Sequence, residues 1–370
     1  MEIVCRHVEY RHLRELEATH PVLSRLTRSE EHFPSMLQHL HTCPDIYEDF
    51  PCFFYLQSGG DIVASIAALP DNLTVGGRLL RWAWMGSLFT SPNYRRQGLG
   101  GNIWRAALET FHEAGIIMGA AYLHPAVTEI SRGMGFTISD RARRLVFLKT
   151  ARPFLSHHLK GNVAIAFLDA PYRLIARGAR VLALWKARDG HGVQPEILTG
   201  LGAIENRIGQ HTAPHYDEEY AFNDSTEKFA WKLDQCRSPE VHAILDSAKN
   251  VLVRFVVKNR NISTAFGGKY RGFRLMTLMD YVLFEKSESN YKKLADALIR
   301  RFWESDAQVL ETVSSSQFLN NILIQRLMIP AGKGVSFVFK TPPGVVLPKS
   351  SSTIGNWHFT HFCSDAFSFE

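Results

Sequence analysis

The chain has 370 residues, of which 45% are hydrophobic and 21% charged, with a formal net charge of +6. This composition is typical of a globular protein with a sizeable core, and the length predicts two domains. The positive charge favours anionic ligands such as phosphates or nucleotides, whereas the scattered lysines and arginines disfavour nucleic-acid binding.

The cysteines and the N-terminus indicate the compartment. The five cysteines are an odd number, lie far apart and form no CxxC motif, which predicts reduced thiols in a cytoplasmic protein. The N-terminus is charged from its second residue, so no signal peptide is expected. No stretch of about 18 uncharged apolar residues occurs, which predicts no membrane span.

The first 150 residues alternate runs of β-branched and aromatic residues with glycine-rich turns and helical patterns. Residues 10–42 are predicted to be helical, with breaks near Pro21 and Pro34. The predicted strands are residues 2–8, 52–57, 61–70, 79–90, 115–123 and 143–150. The other predicted helices run from the glycine-rich stretch to about Ala114 and over 125–134.

Residues 152–222 follow no simple pattern, except for a predicted helix with the sequence LIARGARVLALWKAR. Four arginines, at 173, 177, 180 and 188, fall on one narrow face of this helix. One interpretation is an interfacial helix in peripheral contact with an anionic membrane. The other, which we favour, is a connector helix packed between two domains.

From about Phe229 a second α/β pattern repeats the order of the first. The predicted strands are residues 250–259, 262–268, 273–285, 307–315 and 334–341, and the predicted helices are 290–303 and 316–328. The repeat predicts a tandem duplication. The expected domains are residues 1–150, a connector over 151–225, and residues 226–370.

The segment SPNYRRQGLGGNIWRAAL, residues 91–108, places glycines just before a helix. It lacks the Gly-Lys-Ser/Thr of a Walker loop. It also lacks the third glycine of a dinucleotide fingerprint, since residue 103 is Ile, and its preceding strand lies in a meander. What remains is Arg95-x-x-Gly98-x-Gly100, a helix start where backbone N–H groups and Arg96 could hold a pyrophosphate.

On these residues, the segment from about residue 53 to 150 resembles the GCN5-related N-acetyltransferase (GNAT) superfamily. Arg95, Gly98 and Gly100 match its acyl-CoA-binding motif Q/R-x-x-G-x-G/A. The later SRGMGF, ending in Gly135-Phe136, matches its second landmark. The resemblance implies an α/β (α+β) fold with two GNAT-like domains. Each would have a mixed, mostly antiparallel central sheet flanked by helices, and a helical connector would join them.

The resemblance also implies acetyl-CoA or another acyl-CoA as co-substrate and no metal. The pyrophosphate would bind the backbone amides from Gln97 to Gly101, and the end of the preceding strand would hydrogen-bond the pantetheine arm where two strands splay apart. The implied binding residues are Leu88, Phe89, Thr90, Arg95, Arg96, Gln97, Gly98, Leu99, Gly100 and Gly101.

The catalytic groups depart from the family pattern. Family members often have a Glu on the strand before the loop, but RWAWMGSLF carries no carboxylate, and Ser131 stands where many have a Tyr. His124 could act as base or relay, or could simply cap the next helix. Tyr122 could act as acid or be a core aromatic. Ser131 could protonate the sulfur through a water or be inert.

Two histidine- and cysteine-containing segments could suggest a metal, but neither has the spacing of a closed zinc site, so no metal is expected. They are HLHTC, with His39, His41 and Cys43, and HFTHFCSD, with His358, His361, Cys363 and Asp365.

The second half lacks the glycines of the first. The corresponding sequence, EKSESNYKKLADAL, contains Glu285 and Glu288, which predicts a repeat that binds no CoA. Trp231 and Trp357 are expected to lie in the core.

The leading functional hypothesis is transfer of an acetyl or short acyl group to the primary amine of a small molecule by direct attack in a ternary complex. The acceptor could be an amino sugar of a bacterial surface-polysaccharide pathway, or an amino acid or peptide amine. Alternatives are a FemX-like aminoacyl transferase and a non-catalytic acyl-CoA sensor or assembly module. The oligomeric state is left open.

Overall fold

A computed structural model of the protein provides the architecture. It describes residues 3–13, 40–121, 125–151, 167, 169–178, 181, 197–200, 202, 204, 220–222, 225–236, 239–262, 273–332 and 334–360. Most of the helices predicted over 10–42 and of the strand predicted over 262–268 lie outside these ranges.

Strands predominate in this part of the chain. They are β1 (Ile3–Glu9), β2 (Pro51–Ser58), β3 (Asp61–Val75), β4 (Arg78–Thr90), β5 (Ile117–Ala121), β6 (Thr137–Ile138), β7 (Arg143–Leu148), β8 (Ile197–Thr199), β9 (Tyr220–Phe222), β10 (Pro239–Leu245), β11 (Val251–Ile262), β12 (Phe273–Leu283), β13 (Val309–Ser314), β14 (Ile329–Pro330), β15 (Phe337–Lys340) and β16 (Trp357–His358). The helices are α1 (Leu99–Glu113), α2 (Pro125–Gly133), α3 (Thr226–Gln235), α4 (Glu288–Glu304) and α5 (Gln317–Gln325). The sequence analysis missed α3 and β10.

These strands form two sheets with matching strand orders. The first runs β1-β2-β3-β4-β5-β15-β6, with β9 and β16 attached at β3, and the second runs β8-β10-β11-β12-β13-β7-β14. Along each path one pair is parallel, β4 with β5 and β12 with β13, and the other pairs are antiparallel. The predicted mixed, mostly antiparallel α/β architecture is therefore confirmed.

The two halves of the chain exchange strands. β7 follows the first helical region but pairs with β13 in the second sheet, and β15 comes from the end of the chain but pairs with β5 in the first. Strand pairing thus crosses the expected divisions at residues 150 and 226 in both directions. Those domain boundaries stay a prediction.

Each sheet is covered by a helix with one apolar stripe. On α1 the buried residues recur at a period near 3.6, so that this face packs on β2 and β3. On α4 the buried stripe faces β11 and β12 in the same way. The residues of the α1 stripe are Leu99, Ile103, Trp104, Ala107, Leu108 and Phe111.

An aromatic cluster joins the halves. The ring of Trp82 lies 5.1 Å from that of Phe222 and 6.0 Å from that of Trp357, measured between centroids. A Cβ at Gly119, on the neighbouring parallel strand, would lie 2.1 Å from the Trp82 ring, so only glycine fits there. Trp357 is fully buried and Trp231 is 6% exposed, which confirms both as core residues.

Residues 169–178 are helical and carry exposed apolar side chains, including Leu174 and Ile175, each 68% exposed. Asp169 fixes this segment to the end of β7 by accepting hydrogen bonds from Thr150 Oγ1 (2.7 Å) and Arg173 Nε (2.6 Å). Two of the predicted stripe arginines, at 180 and 188, lie outside the described residues. Within the described ranges, no helix combines the length and the hydropathy needed to cross a bilayer.

Candidate functional site

Strands β4 and β5 separate at one end of the first sheet. Their parallel pairing covers Trp82 to Trp84 against Ile117 to Gly119, while β4 continues to Thr90. Beyond Trp84, the edge of β4 that faces β5 has no strand partner in the described part of the chain. This leaves a row of backbone donors and acceptors over Met85–Thr90 available to an extended ligand.

A β-bulge shapes the same strand end. Ser65 and Ala67 on β3 face Phe89 and Gly86, so two residues of β4 lack direct partners there. One of them, Ser87, has a φ of 54°, which is uncommon for a residue with a side chain. The bulge bends the strand locally, in the part of β4 that lies beyond its pairing with β5. The sequence analysis placed the pantetheine contacts at Leu88 to Thr90 and missed the bulge, although Gly86-Ser87 within a strand pattern was a usable signal.

The glycine-rich segment forms the start of α1. Gly98, with a φ of 77°, occupies the N-cap position and provides no side-chain cap. Four consecutive backbone N–H groups, from Gln97 to Gly100, donate to no acceptor among the described residues. Amides at a helix start, aided by the helix dipole, bind anions such as phosphate. The predicted cradle residues thus lie together, but the amide of Gly101, also predicted as a donor, is not free because it donates to the carbonyl oxygen of Gly98 (3.0 Å).

The cradle adjoins the open edge of β4. Arg95 Nε donates to the carbonyl oxygen of Thr90 (3.3 Å), which anchors the loop to the strand end. Leu88 lies 4.0 Å from where a Cβ of Gly100 would be. Arg96 and Gln97 are exposed beside them. The free strand edge and the free amides therefore form one continuous surface.

The glycines leave room for a ligand. A Cβ at Gly98 or Gly101 would meet no protein atom within 4 Å. Gly100 and Gly101 are helical, so the backbone itself does not require glycine at either position. An acyl-CoA fits this donor set, since its pyrophosphate suits the amides and its pantetheine amides suit the strand edge.

Of the catalytic candidates, Tyr122 and His124 lie outside the described residues. Ser131 is fully buried in α2, and its Oγ has no hydrogen-bond partner among the described residues. Glu129 is exposed and pairs with Arg132, as expected of a solvated helix residue.

The second sequence landmark has a clear structural role. Gly135 has a φ of 72° just after α2, a conformation that favours glycine at a helix end. It lets Phe136 turn back, where its ring lies 6.0 Å from that of Trp104 on α1. Gly135 and Phe136 thus hold the two helices together beside the cradle.

The second half differs at the equivalent helix start. Ser287 caps α4 by accepting a hydrogen bond from the backbone N–H of Asn290 (3.1 Å). Asn290 Nδ2 in turn donates to the carbonyl oxygen of Glu285 (2.7 Å). A side-chain oxygen therefore takes the place that the first half leaves free.

The chain itself also ties the ends of β12 and β13 together. Thr360 Oγ1 donates to Asp280 Oδ1 on β12 (2.8 Å), and the backbone N–H of Phe359 donates to Ser315 Oγ, just after β13 (2.9 Å). Asp280 is 1% exposed. The burial of Asp280 raises its pKa, but His358 outweighs this effect and the pKa is lowered, which keeps the carboxylate charged.

A buried charge cluster lies on the far side of β4 from the cradle. Asp71 Oδ2 accepts a hydrogen bond from Trp84 Nε1 (3.0 Å), and Lys228 Nζ lies 3.7 Å from Asp71 Oδ1 and 2.7 Å from Asp45 Oδ2. Burial raises the pKa of Asp71. Burial would lower the pKa of Lys228, but Asp71 and its neighbours outweigh this effect and the pKa is raised. The sequence analysis did not foresee this cluster.

The histidines and cysteines of the HLHTC and HFTHFCSD segments form no metal site within the described part of the chain. Among the described residues, no group of three or more His, Cys, Asp and Glu side chains is arranged to hold a metal ion. His39, His361, Cys363 and Asp365 lie outside the described residues. His41 Nδ1 instead lies 3.1 Å from the hydroxyl of Tyr10, and Cys43 lies beside Lys228.

Comparison with known proteins finds a family model that matches part of the chain. Residues 36–139 match the model for the acetyltransferase (GNAT) domain. The search of curated proteins found no match.

Three solved structures illustrate the likeness of fold. A GCN5-related N-acetyltransferase from Kribbella flavida has a TM-score of 0.52 at 14% identity, covering 92% of this chain and 71% of its own. Saccharomyces cerevisiae N-myristoyltransferase with bound myristoyl-CoA has a TM-score of 0.56 at 12% identity, covering 97% and 84%. Eis1 from Mycobacterium abscessus has a TM-score of 0.51 at 13% identity, covering 92% and 73%. At these identities the similarity concerns the fold.

Proposed function

We propose that the protein transfers an acetyl or short acyl group from acyl-CoA to a primary amine, since residues 36–139 match the model for the acetyltransferase (GNAT) domain. The observation that carries this proposal is the continuity of the free β4 edge with the free amides at the start of α1. The first suits a pantetheine arm and the second a pyrophosphate. Acetyl-CoA is the donor that we infer.

Positioning supplies the first part of catalysis. The amides from Gln97 to Gly100 would hold the pyrophosphate, with Arg95 and Arg96 adding positive charge. The backbone of Leu88 to Thr90 would pair with the pantetheine as a neighbouring strand would. With its pyrophosphate and its pantetheine arm both held, the acyl-CoA directs its thioester into the gap between β4 and β5. An amine can meet the thioester there without a further loss of orientational freedom of the donor.

The reaction then needs stabilisation of the negative charge on the carbonyl oxygen and two proton transfers. The neutral amine attacks the thioester carbonyl carbon, and a backbone N–H of the free β4 edge would stabilise the negative charge that develops on the oxygen. The C–S bond breaks, the thiolate takes up a proton, and the new amide loses one. His124 is our candidate for base or relay, and Tyr122 and Ser131 are candidates for the acid.

Only the first half would bind acyl-CoA. In the second half Ser287 already accepts from the helix start, and residues 357–360 bridge the ends of β12 and β13. We propose that this half is a degenerate GNAT-like repeat with a structural role. One acyl-CoA per chain is the expected stoichiometry.

The acceptor that we favour is the amine of an amino sugar in a bacterial surface-polysaccharide pathway, in the cytoplasm. Amino-acid and peptide amines are the close alternatives. A FemX-like aminoacyl transferase would use charged tRNA, which the free pyrophosphate cradle does not favour. A non-catalytic acyl-CoA sensor would bind the donor and turn over none of these amines.

A glycine pair tests the donor site. Gly100→Val should weaken acetyl-CoA binding by at least about tenfold, because the added side chain projects into the space reserved for the pyrophosphate. Gly178→Val is the matched control, since Gly178 is also helical and a Cβ there would meet no protein atom within 4 Å, but it lies in the 169–178 segment. Isothermal titration calorimetry measures both, and equal affinities would contradict the site.

The reaction is then tested by turnover of acetyl-CoA with amino sugars, amino acids and peptides. Release of the free thiol of CoA measures the turnover. Acylation of any amine supports a transferase. Tight acetyl-CoA binding without turnover of any amine would favour the sensor, and tRNA-dependent activity would favour the FemX-like alternative.

A further inference from the structure

A cavity of about 950 Å³ lies in the second half of the chain, at the edge of the second sheet. It lies where the short edge strand β8 ends beside the first residues of β10, with the C-terminal turn of α4 on one side. Its apolar walls include Leu233, Val241 and Phe255. No residue of the acyl-CoA cradle lines it, so it is a separate space.

One wall of this cavity holds a buried histidine with an unused nitrogen. His242 is 3% exposed, and its ring stacks on Phe255 with 5.0 Å between centroids. Its Nε2 lies 3.3 Å from Glu240 Oε2. Its Nδ1 is buried and has no hydrogen-bond partner among the described residues. Buried polar atoms of this kind are rare, because each loses its hydrogen bond to water.

Glu240 determines which nitrogen is free. Arg301 Nε (2.8 Å) and Asn259 Nδ2 (2.8 Å) both donate to Glu240, which holds its carboxylate in place. A carboxylate only accepts hydrogen bonds, so the nitrogen facing it carries the hydrogen. Burial lowers the pKa of His242, which keeps the ring neutral at pH 7. Nδ1 is then a bare acceptor on a side chain that lines the cavity.

The charges around the cavity disfavour an anionic ligand. Arg301 forms a close ion pair with Glu240 (2.7 Å). The other charged groups that line the cavity are Arg300, Asp234 and Glu304, so carboxylates outnumber arginines by three to two. No excess of positive charge is left to hold an anion, and the buried acceptor calls for a donor.

We propose that this cavity binds a neutral, largely apolar small molecule whose hydroxyl or N–H group donates a hydrogen bond to Nδ1 of His242. Binding cavities for small molecules commonly measure about 300–1,000 Å³ and combine apolar walls with a few polar groups, as this one does. The protein thus has a second ligand site, in the half without the acyl-CoA cradle.

Two naphthalene probes test the proposal on the full-length protein. 2-Naphthol carries the required donor, whereas 2-methoxynaphthalene has a similar apolar body without one. Fluorescence titration should show saturable binding of 2-naphthol, and binding of 2-methoxynaphthalene that is about tenfold weaker, corresponding to one lost hydrogen bond. His242→Phe should weaken 2-naphthol binding by a similar factor and leave 2-methoxynaphthalene unchanged.

His112→Phe is the matched control. His112 also has a buried ring nitrogen without a partner among the described residues, but it lies on α1 and should not affect either probe. Thermal melting and acetyl-CoA titration of each variant check that the fold and the first site are intact. Acetyl-CoA binding is measured separately, so a negative result for one site does not change the conclusion about the other.

Equal affinity of 2-naphthol for the wild type and for folded His242→Phe, or the absence of saturable binding to the wild type, would overturn the proposal. If His242→Phe does not fold, the proposal is tested on the wild type by NMR. The ¹⁵N resonance of His242 Nδ1 must then shift on addition of 2-naphthol and stay in place with 2-methoxynaphthalene. An unchanged resonance with 2-naphthol would also overturn it.

Discussion

Lys228 is a cation held almost wholly away from water, with 2% of its surface exposed. Besides Asp45 and Asp71, its Nζ donates to the carbonyl oxygen of Pro70 (3.0 Å) and lies 4.7 Å from the centroid of the Trp231 ring. A buried cation of this kind is stable only together with its carboxylate partners, because any one of these groups left alone in the interior carries an uncompensated charge. The cluster joins α3 to the β3–β4 region behind the cradle.

Lys228→Met should therefore lower the free energy of unfolding by about 3–5 kcal/mol, since it leaves Asp71 buried without its cation. Urea unfolding at pH 7.5 measures the loss. Lys292→Met is the same substitution at an exposed ion pair with Glu288 and should cost less than about 1 kcal/mol. Similar losses in the two variants would show that the buried cluster does not stabilise the fold.

Single residues were predictable where a local motif defined them. Arg95, Gly98 and Gly100 lie together at the start of α1, as their spacing predicted, whereas their role in binding acyl-CoA stays a prediction. The Asp71–Lys228 pair was not predictable, because its partners lie on distant segments that only the folded chain brings together. The positive φ of Arg96 (65°) was equally hidden, since its sequence neighbours give no turn signal specific to that residue.

The two halves of the chain differ in how the start of a helix is used. α1 begins at a glycine that caps nothing, whereas α4 begins at Ser287, whose side chain satisfies a backbone N–H. An uncapped start costs stability but offers free donors, and a capped one gains stability and offers fewer. The first arrangement suits a binding site and the second suits a scaffold.

Ser287→Ala should therefore cost about 1 kcal/mol of stability and leave the affinity for acetyl-CoA unchanged. Ser225→Ala, which removes the corresponding cap from α3, should cost a similar amount. Thermal melting and calorimetric titration of both variants provide the measurements. A weaker acetyl-CoA affinity in Ser287→Ala would indicate that the second half takes part in donor binding.

Elements with strong periodicity were predicted well from the sequence. β2, β3 and β4 lie where alternating aromatic and β-branched runs placed them, and α1, α4 and α5 follow their apolar stripes. Very short strands such as β6, β8, β9, β14 and β16 were missed, because two or three residues carry no period. β10 was missed because it contains Pro239, Glu240 and His242, which do not fit a strand pattern.

At the scale of the whole molecule, the exchange of β7 and β15 makes each sheet depend on both halves. In the first sheet β15 contributes Phe337, Val338 and Phe339, all buried, and covers the edge of β5. Each such side chain contributes about 1.5–3 kcal/mol when buried. Sequence order alone assigned β7 and β15 to their own halves, because strand pairing between distant segments leaves no local signal.

A chain divided at residue 150 tests this dependence. Neither 1–150 nor 151–370 alone should show a cooperative thermal transition, because the first would lack β15, which covers the edge of β5, and the second would lack β7, which covers the edge of β13. Co-expression of the two pieces should restore a folded complex that melts cooperatively, as the intact chain does. Calorimetry of each sample gives the result, and cooperative melting of 1–150 alone would contradict it.

The exchange also has a consequence for synthesis on the ribosome. The proposed acyl-CoA site is encoded near residue 100, but the first sheet, on which α1 packs, includes a strand that ends at Lys340. At about 5–20 residues per second, the roughly 200 residues between β5 and β15 take about 10–40 s to be made. Throughout that delay the edge of β5 is uncovered, so the growing chain is exposed to non-native strand pairing. We therefore expect chaperones to bind the growing chain.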